Sequence, residues 1–154
     1  MVSFEVKEKD ILLEYLLDVQ FDFKPPLFQR INQISDVDSI EDYVDKLLNK
    51  ANVFAICSGE TSHKIHGIIA IYTNDIINLK AYIPILSVKK EMSGKGLAKE
   101  LIEKAIDFAI ESGMHSIDVK TWPRNEVAVI LYKKYGFVQT KNDASNIYFT
   151  KQII

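Results

Sequence analysis

One stretch constrains the fold more than any other. Lys80 to Val88 reads as a strand, a short basic turn follows, and Gly94-Lys95-Gly96 leads into a helix. Leu97, Leu101, Ala105, Phe108 and Ala109 recur on one face of that helix. Gly113 can end it, and Ser116 to Thr121 reads as the next strand. A second helix and strand follow. A strand–helix–strand–helix–strand run implies an α/β sheet that is at least partly parallel. Pro84 lies inside the first of these strands. Proline cannot donate to a ladder, so that strand is expected at an edge or bulged there.

The rest of the chain builds outward from this unit. Val2 to Val6 is a candidate first strand. Asp10 can cap a helix with Ile11, Leu12, Tyr15, Leu16 and Val19 at helical spacing. Residues 21–37 read as irregular. Ser39 with Asp42 resembles a capping motif before a helix that buries Ile40, Tyr43, Val44, Leu47 and Leu48. Val53 to Ser58 and Ile65 to Tyr72 read as an antiparallel hairpin turning at Gly59 to Ser62. Asn125 caps a helix that Gly136 stops near Tyr135, and Phe137 to Thr140 and Ile147 to Ile154 close the sheet. The expected order is β-α-α-β-β-β-α-β-α-β-β.

At 154 residues the chain is expected to form one domain, 1–154. Apolar residues make up 47% and charged residues 26%, which excludes a disordered or collagen-like chain. Cys57 is the sole cysteine, so neither a disulfide framework nor a multi-cysteine zinc site can form, and no metal is expected. No apolar run approaches the roughly 20 residues of a membrane span. The N-terminus lacks an apolar stretch of signal-peptide length, so a cytoplasmic protein with no membrane partner is expected. A net charge of −2 argues against a dedicated nucleic-acid binder.

That charge is unevenly placed. Residues 1–50 hold 6 basic and 11 acidic side chains, whereas residues 51–154 hold 13 and 10. One site built from both halves would have an acidic and a basic side. The basic side carries the first chemical signal. Glycines let backbone N–H groups approach a ligand, and the first turn of a helix leaves about four N–H groups unpaired with about half a positive charge. Gly94 to Ala98 therefore reads as an anion site suited to phosphate, reinforced by Lys89, Lys90, Lys95 and Lys99. It is neither a Walker A loop nor the dinucleotide fingerprint, because Lys99 stands where the latter needs glycine. A plain turn would account for the two glycines alone.

The second signal is Trp122-Pro-Arg-Asn-Glu-Val-Ala-Val-Ile-Leu-Tyr-Lys-Lys-Tyr-Gly-Phe. Singly, Asn125 reads as a cap, Tyr132 as a core aromatic, and Gly136-Phe137 as a helix stop. Together with Val88 to Ala98 they resemble the GNAT superfamily of acetyl-coenzyme A dependent N-acetyltransferases. Its first motif, [Arg/Gln]-x-x-Gly-x-[Gly/Ala], aligns with Ser93-Gly94-Lys95-Gly96-Leu97-Ala98; Ser93 departs from it. Its second, Asn-x-x-Ala-x-x-Leu-Tyr-x-x-x-Gly-Phe, runs from Asn125 to Phe137 without departure. The resemblance covers about residues 80–141.

It implies a mixed, mostly antiparallel sheet with splayed parallel middle strands and helices on both faces. It implies an acyl-coenzyme A core at 80–141 and acceptor-side helices and loop at 1–50. Ile85 to Val88, Leu86, Ser87 and Val88 above all, would pair with the pantetheine arm, and Val88 N–H would support an oxyanion. Ser93, Gly94, Lys95, Gly96, Leu97 and Ala98 would hold the pyrophosphate, with Asn125 beside the cofactor. Tyr132 would be the catalytic acid that protonates the departing thiolate. The implied reaction is acetyl transfer by direct attack of a primary amine on a small molecule such as an amino sugar. A peptide or protein amine is the alternative acceptor, and a homodimer is left open. A rival reading is a non-catalytic acyl-coenzyme A binder, which Ser93 favours and Tyr132 opposes. The acidic residues of 1–50 would favour a cationic amine, and Phe21, Phe23, Pro25, Pro26, Leu27 and Phe28 could stack on a sugar or base. Asp118 is a weak candidate for the acceptor site. His63, His66, His115 and Cys57 read as structural.

Overall fold

The computed structural model describes residues 1–59 and 64–154. Most of the expected Gly59–Ser62 turn, and His63, lie outside the described residues. Seven strands form one sheet in the order β1-β2-β3-β4-β5-β7-β6. They are β1 (Val2–Glu5), β2 (Asn52–Cys57), β3 (Ile65–Tyr72), β4 (Lys80–Val88), β5 (Ser116–Thr121), β6 (Val138–Asn142) and β7 (Ile147–Gln152). Every neighbouring pair is antiparallel except β4 and β5, which are parallel. The helices are α1 (Lys9–Val19), α2 (Leu27–Ile31), α3 (Ile40–Lys50), α4 (Leu97–Glu111) and α5 (Glu126–Lys134).

Helices cover both faces. Val53, Ala55, Ile68 and Ala70 pack under α1, α2 and α3, while Ile56, Ile69, Ile71 and Ile83 pack under α4 and α5. Successive strand residues point to opposite faces, so burying both makes β2 and β3 continuous apolar runs. No described helix is long and apolar enough to cross a membrane.

The caps explain most boundaries. Ser39 Oγ accepts the Asp42 N–H at 3.0 Å, as its spacing predicts. Gly113 ends α4 with φ +80°, and Gly113 and Met114 donate back to Ile110 and Ala109. Gly136 ends α5 in the same way, and Phe137 folds onto the Tyr132 ring at 5.5 Å.

Two expectations need correction. Glu8, not Asp10, takes the N-cap position of α1, and Asp10 sits in the first turn. Residues 21–37 are not wholly irregular, because Pro26 starts the five-residue α2. For β4, expected at an edge or bulged at Pro84, the second alternative holds: the strand is central, its register with β3 shifts between Ala70 and Tyr72, and its pairing with β5 stops at Ile83.

Candidate active site

The parallel pair β4–β5 stays together only from Lys80↔Ser116 to Ile83↔Val119. Beyond that, β4 follows β3 as far as Val88 and β5 follows β7 as far as Thr121. The two strands splay and a cleft of about 810 Å³ opens at the gap. The Lys89 N–H donates to the His66 carbonyl at 2.9 Å, and Gly67 faces Val88. Backbone groups alternate between the two sides of an antiparallel strand. Leu86 and Val88 therefore turn their N–H and C=O groups away from β3, toward the gap.

At the end of β4 the chain makes a short 3-10 turn, Lys90–Met92. Gly94 and Gly96 follow with φ +77° and +80°, and a Cβ at either would meet nothing within 4 Å. The first helical bond of α4 runs from the Glu100 N–H to the Gly96 carbonyl at 3.1 Å. Leu97, Ala98 and Lys99 are thus left with free N–H groups at a helix start, beside open space. The Ser93 N–H is not available in the same way, because it donates to the Lys90 carbonyl at 3.1 Å.

Asn125 ties α5 to the same gap. Its Oδ1 accepts the Ala128 N–H at 3.3 Å, and its Nδ2 donates to Thr121 Oγ1, the end of β5, at 3.0 Å. Tyr132, about two turns along, packs against Phe137 and Phe149 with ring centroids 5.5 and 5.8 Å away. It is 4% exposed and lines the cleft, and its hydroxyl has no hydrogen-bond partner among the described residues. Burial pushes its pKa well above the ordinary tyrosine value, with the nearby Arg30 opposing the shift.

The sequence-predicted residues converge. Leu86, Ser87 and Val88 line the cleft from β4, Ser93, Gly94 and Gly96 from the loop, Leu97 and Ala98 from α4, and Asn125 and Tyr132 from α5. Lys95 alone does not line it. Ser87 Oγ is 2.9 Å from the Tyr15 hydroxyl, which holds β4 to α1.

Other expectations fail on long-range contacts. Lys89 Nζ pairs with Asp18 at 3.1 Å and Lys90 Nζ with Asp22 at 3.3 Å, so these two lysines do not add bare positive charge. The same pairs consume N-terminal carboxylates, and Asp22 is the one carboxylate in the described lining. The acidic half therefore does not make an acidic acceptor site. Phe23 and Leu27 line the cleft, whereas Phe21 and Phe28 are solvent-exposed elsewhere. Asp118 is outside the lining, held by Lys80 at 3.2 Å and Thr150 at 2.6 Å. His66 and His115 lie outside it too, and Cys57 is buried with its thiol 3.8 Å from the Gly59 carbonyl.

What sequence reasoning missed is part of the lining: Arg30, Tyr43, Tyr72 and Tyr82. A usable signal was present: Arg30 is one of two arginines in the chain and stands in an acidic, aromatic segment. Among the described residues, no three His, Cys, Asp or Glu side chains cluster as a metal site.

A family model described as the acetyltransferase (GNAT) family matches residues 13–137. The chain belongs to the GNAT acetyltransferase family. A 62-residue stretch is 36% identical to the N-alpha-acetyltransferase MAK3 of Arabidopsis thaliana, covering 40% of this chain and 33% of that protein. The chain thus spans about a third of this curated relative's length. Among solved structures, a GNAT acetyltransferase from Staphylococcus aureus Mu50 superposes with a TM-score of 0.74 at 18% identity, covering 99% of this chain and 100% of that one. A chain of the NatC complex bound to Gag peptide and coenzyme A gives 0.72 at 19% identity, covering 99% and 98%. The GNAT sheet, with one parallel pair that splays, is the architecture described above.

Coenzyme A, the co-substrate of GNAT enzymes, can be tested against these residues. The open space beyond Gly94 and Gly96, the free N–H groups at the start of α4 and the unpaired edge of β4 suit phosphates and an amide-bearing arm.

Proposed function

We propose that this chain transfers an acetyl group from acetyl-coenzyme A to a primary amine. One observation carries the reading: a single cleft joins an unpaired strand edge, an open N–H cradle and the tyrosine Tyr132. Gly94, Gly96, Leu97 and Ala98 would hold the pyrophosphate through backbone N–H groups, with Lys95 and Lys99 adding field from outside. Leu86 and Val88 would orient the pantetheine arm, and the Val88 N–H would favour negative charge developing on a carbonyl oxygen. Bound acetyl-coenzyme A supplies the activated acyl carbonyl. Tyr132 holds a proton at Oη, next to the gap, for a departing thiolate. Its raised pKa keeps that proton in place at neutral pH and makes giving it up costlier than for a free tyrosine. Arg30 offsets part of that cost by favouring phenolate. Proton transfer from a positioned group typically contributes about 10²–10⁴-fold.

A peptide α-amine is the second reading for the acceptor. What favours it is the likeness to N-alpha-acetyltransferase MAK3 and to a complex solved with a peptide. The non-catalytic binder draws support from Ser93 alone, and an unpartnered Tyr132 hydroxyl would have no use there.

The test pairs calorimetry of coenzyme A with thiol release from acetyl-coenzyme A across free amino acids, amino sugars, polyamines and short peptides. Micromolar binding with acceptor-dependent release is the expected result. Binding without release for any amine would leave the non-catalytic reading standing. Absence of binding would overturn both.

A further inference from the structure

Arg30 is the least explained charge in the molecule. It lines the α2 end of the cleft and is half-buried. No ion pair or side-chain hydrogen bond involves it among the described residues. Arginine is seldom buried without a partner. The buried Lys89 shows how this fold treats such a group, since it holds Asp18 at 3.1 Å. Arg30 instead lies within electrostatic reach of the Tyr43, Tyr82 and Tyr132 phenols. Phenols are neutral near pH 7 and cannot neutralise a guanidinium. Around it, Lys46 also lines the cleft, and Asp22 is spent on Lys90. Lys46 also borders Asp36, Asp42 and Asp45, which leaves Arg30 as the cation of this end with no carboxylate against it among the described residues.

We infer that Arg30 seats a carboxylate of the acceptor, so that the substrate is a small primary amine bearing a carboxylate, as an amino acid does. The guanidinium presents N–H donors in a planar fork that matches a carboxylate bidentately. Arg30 and Tyr132 line the same cleft, so a carboxylate held by Arg30 keeps the amine of a small acceptor within it. The same field disfavours polyamines and gives a neutral amino sugar nothing to anchor. This inference rests on the acetyl-transfer reading and narrows its acceptor.

The experiment compares acceptor pairs that differ only at the carboxylate: an amino acid against its amide, and a dipeptide against its C-terminal amide. Each is measured on the unchanged protein, Arg30→Gln and Arg30→Lys, with coenzyme A affinity followed by calorimetry. On the unchanged protein the carboxylate form should have at least a tenfold higher kcat/KM in one pair, carried mainly by KM. Which pair shows it tells a free amino acid from a chain end. Arg30→Gln should bring that ratio close to one, and Arg30→Lys should restore part of it. A ratio near or below one on the unchanged protein, a ratio that survives Arg30→Gln, or a clear preference for glucosamine or a polyamine would each overturn the inference. If Arg30→Gln does not fold, the ratio on the unchanged protein and in Arg30→Lys decides. Coenzyme A that binds, with amines acetylated regardless of a carboxylate, sinks this inference and leaves acetyl transfer intact. Coenzyme A that does not bind sinks both.

Discussion

Gly96 and Gly113 share a left-handed φ of +80°, and a Cβ at either meets nothing within 4 Å. They form a matched pair, because alanine at either should cost the same backbone strain of about 1–2 kcal/mol. Their surroundings differ. Gly96 opens the cradle and lines the cleft, whereas Gly113 closes α4 away from it. Gly96→Ala and Gly113→Ala should therefore lower thermal stability alike, and only Gly96→Ala should weaken coenzyme A binding, at least tenfold by calorimetry. Equal affinities would remove the loop from the site. Tyr132 permits an equally clean substitution. Its ring is fixed by Phe137 and Phe149, and its hydroxyl bonds to no described residue. Tyr132→Phe should keep the core and the melting temperature while kcat falls about 10²-fold, within the range of general acid catalysis. Coenzyme A affinity should stay within about threefold. Full kcat with a true acceptor would give the proton to water or another group, and an unfolded variant would return Tyr132 to the core.

Strand β4 carries the site because β3 holds it from one side only. Gly67 on β3 faces Val88, and a Cβ there would meet the Ser87 carbonyl at 3.1 Å, Leu101 Cδ1 at 3.2 Å and Val88 Cγ2 at 3.2 Å. Three neighbours would have to give at once, one of them backbone. Gly67→Ala should destabilise by about 1–3 kcal/mol, the usual cost of overpacking. That is several degrees in melting temperature for a chain of this length. It should also displace Ser87 and Val88 and weaken coenzyme A binding; unchanged affinity would separate β4 from the site. The elements that position the site were readable because their signals are local. Gly94 to Ala98 and Asn125 to Phe137 are each continuous in the chain, and caps and glycine stops act over three or four residues. What escaped depends on contacts between distant segments. Pro84 marked a missing ladder bond, and only the arrival of β5 shows that the gap lies mid-sheet. Lys89 and Lys90 looked like part of a basic loop until α1 and the chain after it brought Asp18 and Asp22. Arg30 sits on a helix of five residues, too short for any periodicity to reveal which way it faces.

Taken as a whole molecule, the two halves of unlike charge are joined by the Lys89–Asp18 and Lys90–Asp22 pairs, and the groups left in the cleft set the expected pH response. The described lining of the cleft holds neither histidine nor cysteine, the side chains that titrate most readily near neutrality. Its tyrosines shift the other way. Burial raises Tyr72, pushes Tyr82 up to about 12 and pushes Tyr43 and Tyr132 further. A raised tyrosine pKa keeps the proton on as pH climbs, so Tyr132 remains a donor past pH 10 and no alkaline fall should appear below that. The acceptor itself must lose a proton before it can attack, since a protonated amine has no lone pair. With no histidine or cysteine in the described lining, and its one carboxylate, Asp22, paired with Lys90, kcat/KM should rise tenfold per pH unit and level off at the pKa of the free amine. A peptide α-amine ionises near 7.7–8.0 and a lysine side chain near 10.4. Profiles for a dipeptide and for an Nα-blocked lysine, both ending in a carboxylate, should therefore break about 2.5 units apart. A break at one pH for both acceptors would mean that the protein supplies the base. If that common break fell below 6.5, it would point to His66, whose pKa burial and Lys89 lower and whose buried Nδ1 has no hydrogen-bond partner among the described residues. His66→Gln would then abolish the break, and β3 rather than the gap would hold the group that sets the rate.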